Sequence, residues 1–116
     1  MGSHGTQMSQ DIERCITECL NCHRICLATV QHCLEMGGKH ASAPHIRLLL
    51  DCAEICQTSA NFMLRGSNFH TSTCTVCAEV CSRCAESCEE LGDGEQMRAC
   101  AAACRSCAES CQRMAA

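Results

Sequence analysis

The stretch CITECLNCHRIC, residues 15–26, places Cys15, Cys19, Cys22 and Cys26 at gaps of four, three and four. Loops that wrap a zinc ion or an iron–sulfur cluster space their cysteines to bend backbone around the metal. Gaps alternating between four and three instead follow the turn of an α-helix and hold every thiol on one face. The rhythm passes through Thr29 to Cys33 without a break. It returns at Cys52 and Cys56, at Cys74, Cys77, Cys81, Cys84 and Cys88, and at Cys100, Cys104, Cys107 and Cys111.

Turn signals separate these runs. Gly37 and Gly38 with Pro44 mark one break, Gly66 with Ser67 and Asn68 a second, and Gly92, Asp93 and Gly94 a third. Four helices are predicted, over 9–36, 43–65, 69–91 and 94–114, with Gly92 ending the third and an Asp93–Gln96 capping box opening the fourth. Short links between helices of similar length predict an all-α fold, an antiparallel up-down-up-down four-helix bundle with a cysteine-lined core. The chain is long enough for one domain, 8–116; MGSHGTQ (1–7) reads as a leader or expression scar, so His4 is given no role.

Composition agrees with a sulfur interior. Sixteen cysteines and six methionines stand against two phenylalanines, with no tyrosine or tryptophan, so sulfur fills space that larger apolar side chains fill elsewhere. Nine Lys and Arg against thirteen Asp and Glu give a net charge of −4 and no basic patch for nucleic acid. No apolar run reaches the ~18 residues of a membrane span, and the N-terminus lacks a secretory pattern. The expectation is a cytoplasmic protein whose thiols are metal ligands rather than disulfides.

Continuing the stripe outward reaches Met8 and Met36 on the first helix, Met63 on the second, and Met97 and Met114 on the fourth. Extending the second and third helices backwards reaches His45 and His70. An antiparallel bundle gathers Met8, Met63, His70 and Met114 at one end and Met36, His45 and Met97 at the other, soft donors at both mouths of a thiol-lined tube. His23, His32 and His40 lie off the stripe and are expected at the surface. Ile16, Leu20, Leu27, Val30 and Leu34 form a second ridge that suits either a neighbouring helix or a subunit interface.

Thiolate and thioether donors select soft ions, and Cu(I) accepts two or three of them without demanding a tetrahedron. Charge sets the number bound. Sixteen bare thiolates cannot share a dry core, so the empty protein holds neutral thiols, and loading releases protons. Without sharing, the cysteines provide about eight two-thiolate sites, each at −1; if every thiolate bridges, about sixteen ions neutralise the core. Capacity on that scale suits storage. A four-thiolate zinc site carries −2, and several in one tube accumulate charge. CTVCAEVCSRC, residues 74–84, has neither the gaps nor the proline of a ferredoxin run.

CITECLNCHRIC, CAEIC, CTVCAEVCSRCAESC and CAAACRSCAESCQRMAA together resemble the repeated C-x-x-x-C and C-x-x-C helices of the bacterial cysteine-rich four-helix-bundle copper-binding family. Its cytosolic members are copper storage proteins, and the likeness runs from Ile12 onward. The resemblance implies a cytosolic bundle holding many Cu(I) ions, and a homo-oligomer, often a homotetramer. The second helix departs from the pattern, with His45, Leu49, Ser59 and Met63 on slots where richer members carry cysteine. That lowers the expected capacity nearby.

The predicted metal ligands are thus all sixteen cysteines with His45, His70, Met63 and Met114. No nucleophile–base pair accompanies them, and no enzyme is predicted. A zinc or broad-specificity thiol buffer and a structural or redox helical bundle are the alternative readings.

Overall fold

The computed structural model describes residues 3–92 and 94–115, with side chains from Ser9 onward. Met8 and Asp93, the first residue of the expected capping box, therefore lie outside the described side chains. Four helices carry the fold: α1 Ser3–Met36, α2 Ala43–Leu64, α3 His70–Glu90 and α4 Glu95–Ala115, with a 3-10 turn at Gly38–Ala41. They match the predicted spans to within about a residue, except that α1 takes in residues 3–8. At about 1.5 Å per residue α1 sets the long axis, and the molecule measures 53 × 22 × 19 Å.

Local chemistry sets the breaks. Gly37 and Gly38 turn the chain out of α1 with φ of 72° and 57°, conformations that side-chain-bearing residues rarely adopt. Pro44 sits in the first turn of α2, where its missing N–H has no intrahelical partner to lose. The end of α2 is a Schellman motif: the Ser67 N–H donates to the Phe62 carbonyl at 2.9 Å and the Gly66 N–H to that of Met63 at 3.1 Å.

The helices close a ring, α1 against α2 and α4, and α3 against α2 and α4; among the described residues the diagonal helices bring no Cα atoms within 8 Å, and α2 and α4 meet across the axis through cysteine side chains. With short links this is the antiparallel up-down-up-down bundle. The stripe lines its axis: all sixteen cysteines are fully buried. Alanines flank them, among them Ala53, Ala60, Ala78, Ala85, Ala101 and Ala108, and let the backbones approach. Among the described residues Leu49 is the one large aliphatic side chain that is fully buried. Every stripe slot of α2 without a cysteine, His45, Leu49, Ser59 and Met63, points inward and is buried.

The second ridge of α1 divides. Ile16, Leu20 and Val30 pack against the core, while Leu27 and Leu34 remain exposed. A polar strut ties α1 to α4, where Gln96 Nε2 donates to Thr29 Oγ1 at 2.9 Å and Thr29 Oγ1 donates to the Ile25 carbonyl at 2.7 Å. Among the described residues no helix is long and apolar enough to cross a membrane.

Candidate metal centre

One helical face per element sends sulfur to the axis, and the antiparallel register then fixes which sulfurs meet. Cys22 Sγ lies 3.8 Å from Cys52 and 3.7 Å from Cys104, and Cys52 Sγ lies 3.6 Å from Cys81. Those four cysteines, one from each helix, form a layer. On one side of it Cys56 touches Cys77, Cys81 and Cys107, and Cys19 touches Cys107 and Cys111; on the other Cys26 touches Cys100 and Cys104. Intrahelical contacts such as Cys22–Cys26 and Cys77–Cys81 occur at 3.9 and 3.8 Å, but most close pairs cross between helices. The C-x-x-x-C step is therefore one part of a three-dimensional network.

Several buried quartets hold all four sulfurs within 4.8 Å of one another: Cys22/Cys26/Cys52/Cys104, Cys22/Cys52/Cys56/Cys81, Cys26/Cys84/Cys100/Cys104, Cys56/Cys77/Cys81/Cys107 and Cys19/Cys77/Cys107/Cys111. They overlap. Cys22, Cys52, Cys56 and Cys81 each belong to two, as do Cys26, Cys77, Cys104 and Cys107. Spacing alone does not choose the ion, because a tetrahedral zinc at ~2.3 Å from each sulfur also needs sulfurs about 3.8 Å apart. Charge does. The buried polar residues are Thr29, His45, Ser59 and Ser110, so among the described residues no Lys or Arg offsets a thiolate. Overlap favours an ion whose own charge matches one bridging thiolate.

All sixteen cysteines are free thiols. At Cys56 and Cys104 the hydrogen bonds with neighbouring thiols, Cys107 and Cys100 foremost, hold the thiol well above its ordinary value, and burial adds to the effect. At Cys33 burial, with Cys100 and Cys84 nearby, pushes the thiol up to about 11. The empty core is thus a store of neutral S–H groups that must each give up a proton to bind a metal.

The ends differ from one another. At one, Cys15 Sγ lies 3.6 Å from Cys111, Cys74 Sγ donates to Met63 Sδ at 4.0 Å, and Met114 packs half-buried on the core. His70 stays half-buried at the start of α3, its Nδ1 3.0 Å from the Ser67 carbonyl oxygen. At the other end Met97 is buried against Cys33, and His45, 4 % exposed, brings Nε2 to 3.3 Å from Cys33 Sγ. Burial holds the His45 imidazole below its ordinary value. Met36 is a correction: at 58 % exposed it points to solvent rather than closing this mouth, because α1 ends there and the Gly37–Gly38 turn carries the chain away.

The off-stripe histidines are less solvated than expected. His23 Nδ1 lies 2.7 Å from the Ala53 carbonyl oxygen, linking α1 to α2, and the half-buried His32 meets His40 edge to face with ring centroids 6.2 Å apart. Ser87, which no spacing pattern singled out, sits with Oγ 2.7 Å from His45 Nδ1. It lies beside the stripe rather than on it, so only the docking of α3 against α2 reveals the contact.

Comparisons with known proteins agree with this geometry. The Nmul_A1745 protein of Nitrosospira multiformis shares 52 % identity over 92 % of this chain and 96 % of its own, with a TM-score of 0.86. The Cu(I)-bound copper storage protein BsCsp3 shares 37 % identity over 91 % of this chain and 99 % of its own, with a TM-score of 0.85. The Streptomyces lividans copper storage protein Ccsp, in a structure loaded with 10 copper equivalents, shares 32 % identity over 91 % of this chain and 84 % of its own, with a TM-score of 0.79. Residues 8–116 match the family described as Csp, copper storage protein, and the chain belongs to that family.

Proposed function

We propose that the protein stores Cu(I) in its core, bound by the thiolates of its sixteen cysteines, with Met63, Met114 and His70 at one end and His45 at the other as further ligands. The overlap of the cysteine quartets carries this reading. A thiolate that faces two sites at once can bridge two ions, and bridging brings the charge of the filled core toward zero. A store performs no chemical transformation, and the protein is not an enzyme. The storing unit is the 8–116 bundle, in the cytoplasm: buried free thiols suit a reducing compartment, and one Streptomyces lividans relative is described as cytosolic. The functional assembly is a homo-oligomer, a tetramer on the resemblance, supported by exposed Leu27, Leu34, Leu50, Leu64 and Phe69.

Titration of the reduced, metal-free protein with Cu(I) under nitrogen against a competing chromophoric chelator tests this. Protein is quantified by thiol assay, since there is no Trp or Tyr. Retention of more than about eight ions per chain, the unshared-pair limit, is expected. Retention of one or two refutes storage.

A further inference from the structure

Among the described residues the buried polar side chains are Thr29, His45, Ser59 and Ser110. Three are committed: Thr29 to Ile25 and Gln96, His45 to Cys33 and Ser87, and Ser110 to Arg113. Ser59 is not. It is fully buried, and its Oγ has no hydrogen-bond partner among the described residues. A hydroxyl inside a helix can return to the carbonyl four residues back, as Thr29 does, but Ser59 leaves that bond unmade.

The register of the bundle places Ser59. Cys52 of α2 meets Cys81 of α3, and Cys56 meets Cys77, so one further step sets Ser59 level with Cys74. Across the bundle the same level holds Cys15 and Cys111, 3.6 Å apart, and Cys74 has both as hydrogen-bonding partners. Ser59 is thus the fourth corner of a layer whose other three corners are thiols. The layer is also the last at its end. Cys15 is the first cysteine of the chain, Cys111 is the last, and none lies between Cys56 and Cys74. Outward of it the stripe continues in the neutral thioethers of Met63 and Met114. An interior thiolate has cysteine layers on both sides with which to share ions, whereas a thiolate of this layer has one only on its inner side. Negative charge that sharing does not cancel therefore collects here, beside the uncommitted hydroxyl.

We propose that Ser59 is a positioning residue of the filled store, its hydroxyl donating to a copper-bound thiolate of the Cys15, Cys74 and Cys111 layer. The proposal rests on the Cu(I) reading above and adds to it a donor that is not a ligand. In the empty protein the neighbouring sulfurs are neutral thiols, which are weak acceptors. Loading changes that: each binding thiol loses its proton to solvent, a Cu–S bond replaces S–H, and the sulfur retains charge that accepts the Ser59 O–H. Ser59 keeps its proton and no electron moves. A hydrogen bond to a charged acceptor is about twice as strong as one between neutral groups. The same hydroxyl therefore destabilises the empty bundle and stabilises the filled one, a reversal that a packing role does not produce.

The test is Cu(I) titration of the reduced, metal-free protein against a chromophoric chelator under nitrogen, on wild type, Ser59→Ala and Ser59→Thr. Ser59→Ala is expected to hold the ions of this layer about ten- to a hundredfold more weakly, the worth of one hydrogen bond to a charged group. Ser59→Thr keeps the hydroxyl and is expected to hold them as wild type does. Equal weakening in both variants marks a packing effect and overturns the proposal. So does a Ser59→Ala curve that superimposes on wild type while more than about eight ions bind, which leaves storage standing. Retention of one or two ions by wild type refutes storage, and this role with it. Proton–carbon correlation on serine-labelled wild type, empty and loaded, gives an answer even if a variant fails to fold. The Ser59 hydroxyl proton is expected to move downfield and to exchange more slowly with solvent once copper is bound, and an unchanged signal overturns the proposal.

Discussion

Ser59→Ala is expected to stabilise the metal-free bundle. Ser59 occupies the stripe slot between Cys56 and Met63, is fully buried, and its Oγ has no hydrogen-bond partner among the described residues. A buried hydroxyl without a partner costs about 1–3 kcal/mol relative to its hydrated state in the unfolded chain. Alanine removes that cost and gains a few tenths of a kcal/mol in helix propensity. It loses the dispersion contacts of one oxygen, each about 0.1–0.2 kcal/mol. The net gain is about 1 kcal/mol, a rise of roughly 3–8 °C in Tm for a domain of this size. The assay is thermal unfolding of reduced, metal-free protein followed by far-ultraviolet circular dichroism, with all variants at one protein concentration because self-association shifts the midpoint. Ser110→Ala is the control. Ser110 is also buried, but its Oγ accepts from Arg113 Nη2 at 3.3 Å, so no comparable gain is expected. A fall in Tm for Ser59→Ala, or an equal rise for both variants, refutes the reasoning.

Leu49→Ala removes what is, among the described residues, the one large aliphatic side chain that is fully buried, and opens a cavity in the core. A loss of about 2–5 kcal/mol in urea unfolding is expected, and a loss under about 1 kcal/mol would show that the layer repacks. The stability of the metal-free protein should also depend on pH at both ends. His45 has its folded value depressed by burial, so its contribution is complete above the ordinary imidazole value of about 6.5 and is lost as pH falls below it. Cys33 is raised to about 11, so its contribution is complete below the ordinary thiol value and is lost as pH rises from there through about 11. The slope on either limb is at most about 1.4 kcal/mol per pH unit for a single group. Urea midpoints measured across pH check this, and an acid limb unchanged in His45→Gln would exclude His45 as its source.

The four-three rhythm of the cysteines determined the secondary structure, the buried face of each helix and, with the glycine breaks at 37–38, 66 and 92, the number and direction of the helices. These are legible in one dimension because helical periodicity and turn chemistry act over a few residues. The inward positions of His45, Leu49, Ser59 and Met63 followed from the same rhythm. Tertiary structure decided which sulfurs meet. The axial register of the helices makes Cys56 a partner of Cys77, Cys81 and Cys107, whereas spacing within α2 shows only its neighbour Cys52. Tertiary structure also turned Met36 to solvent at the end of α1, divided the Ile16–Leu34 ridge between core and surface, and placed Ser87 behind His45. The physical reason is range: a helix face is set by neighbours three and four residues away, whereas a metal site is set by side chains dozens of residues apart. Their separation depends on how four separately formed helices slide and close on one another.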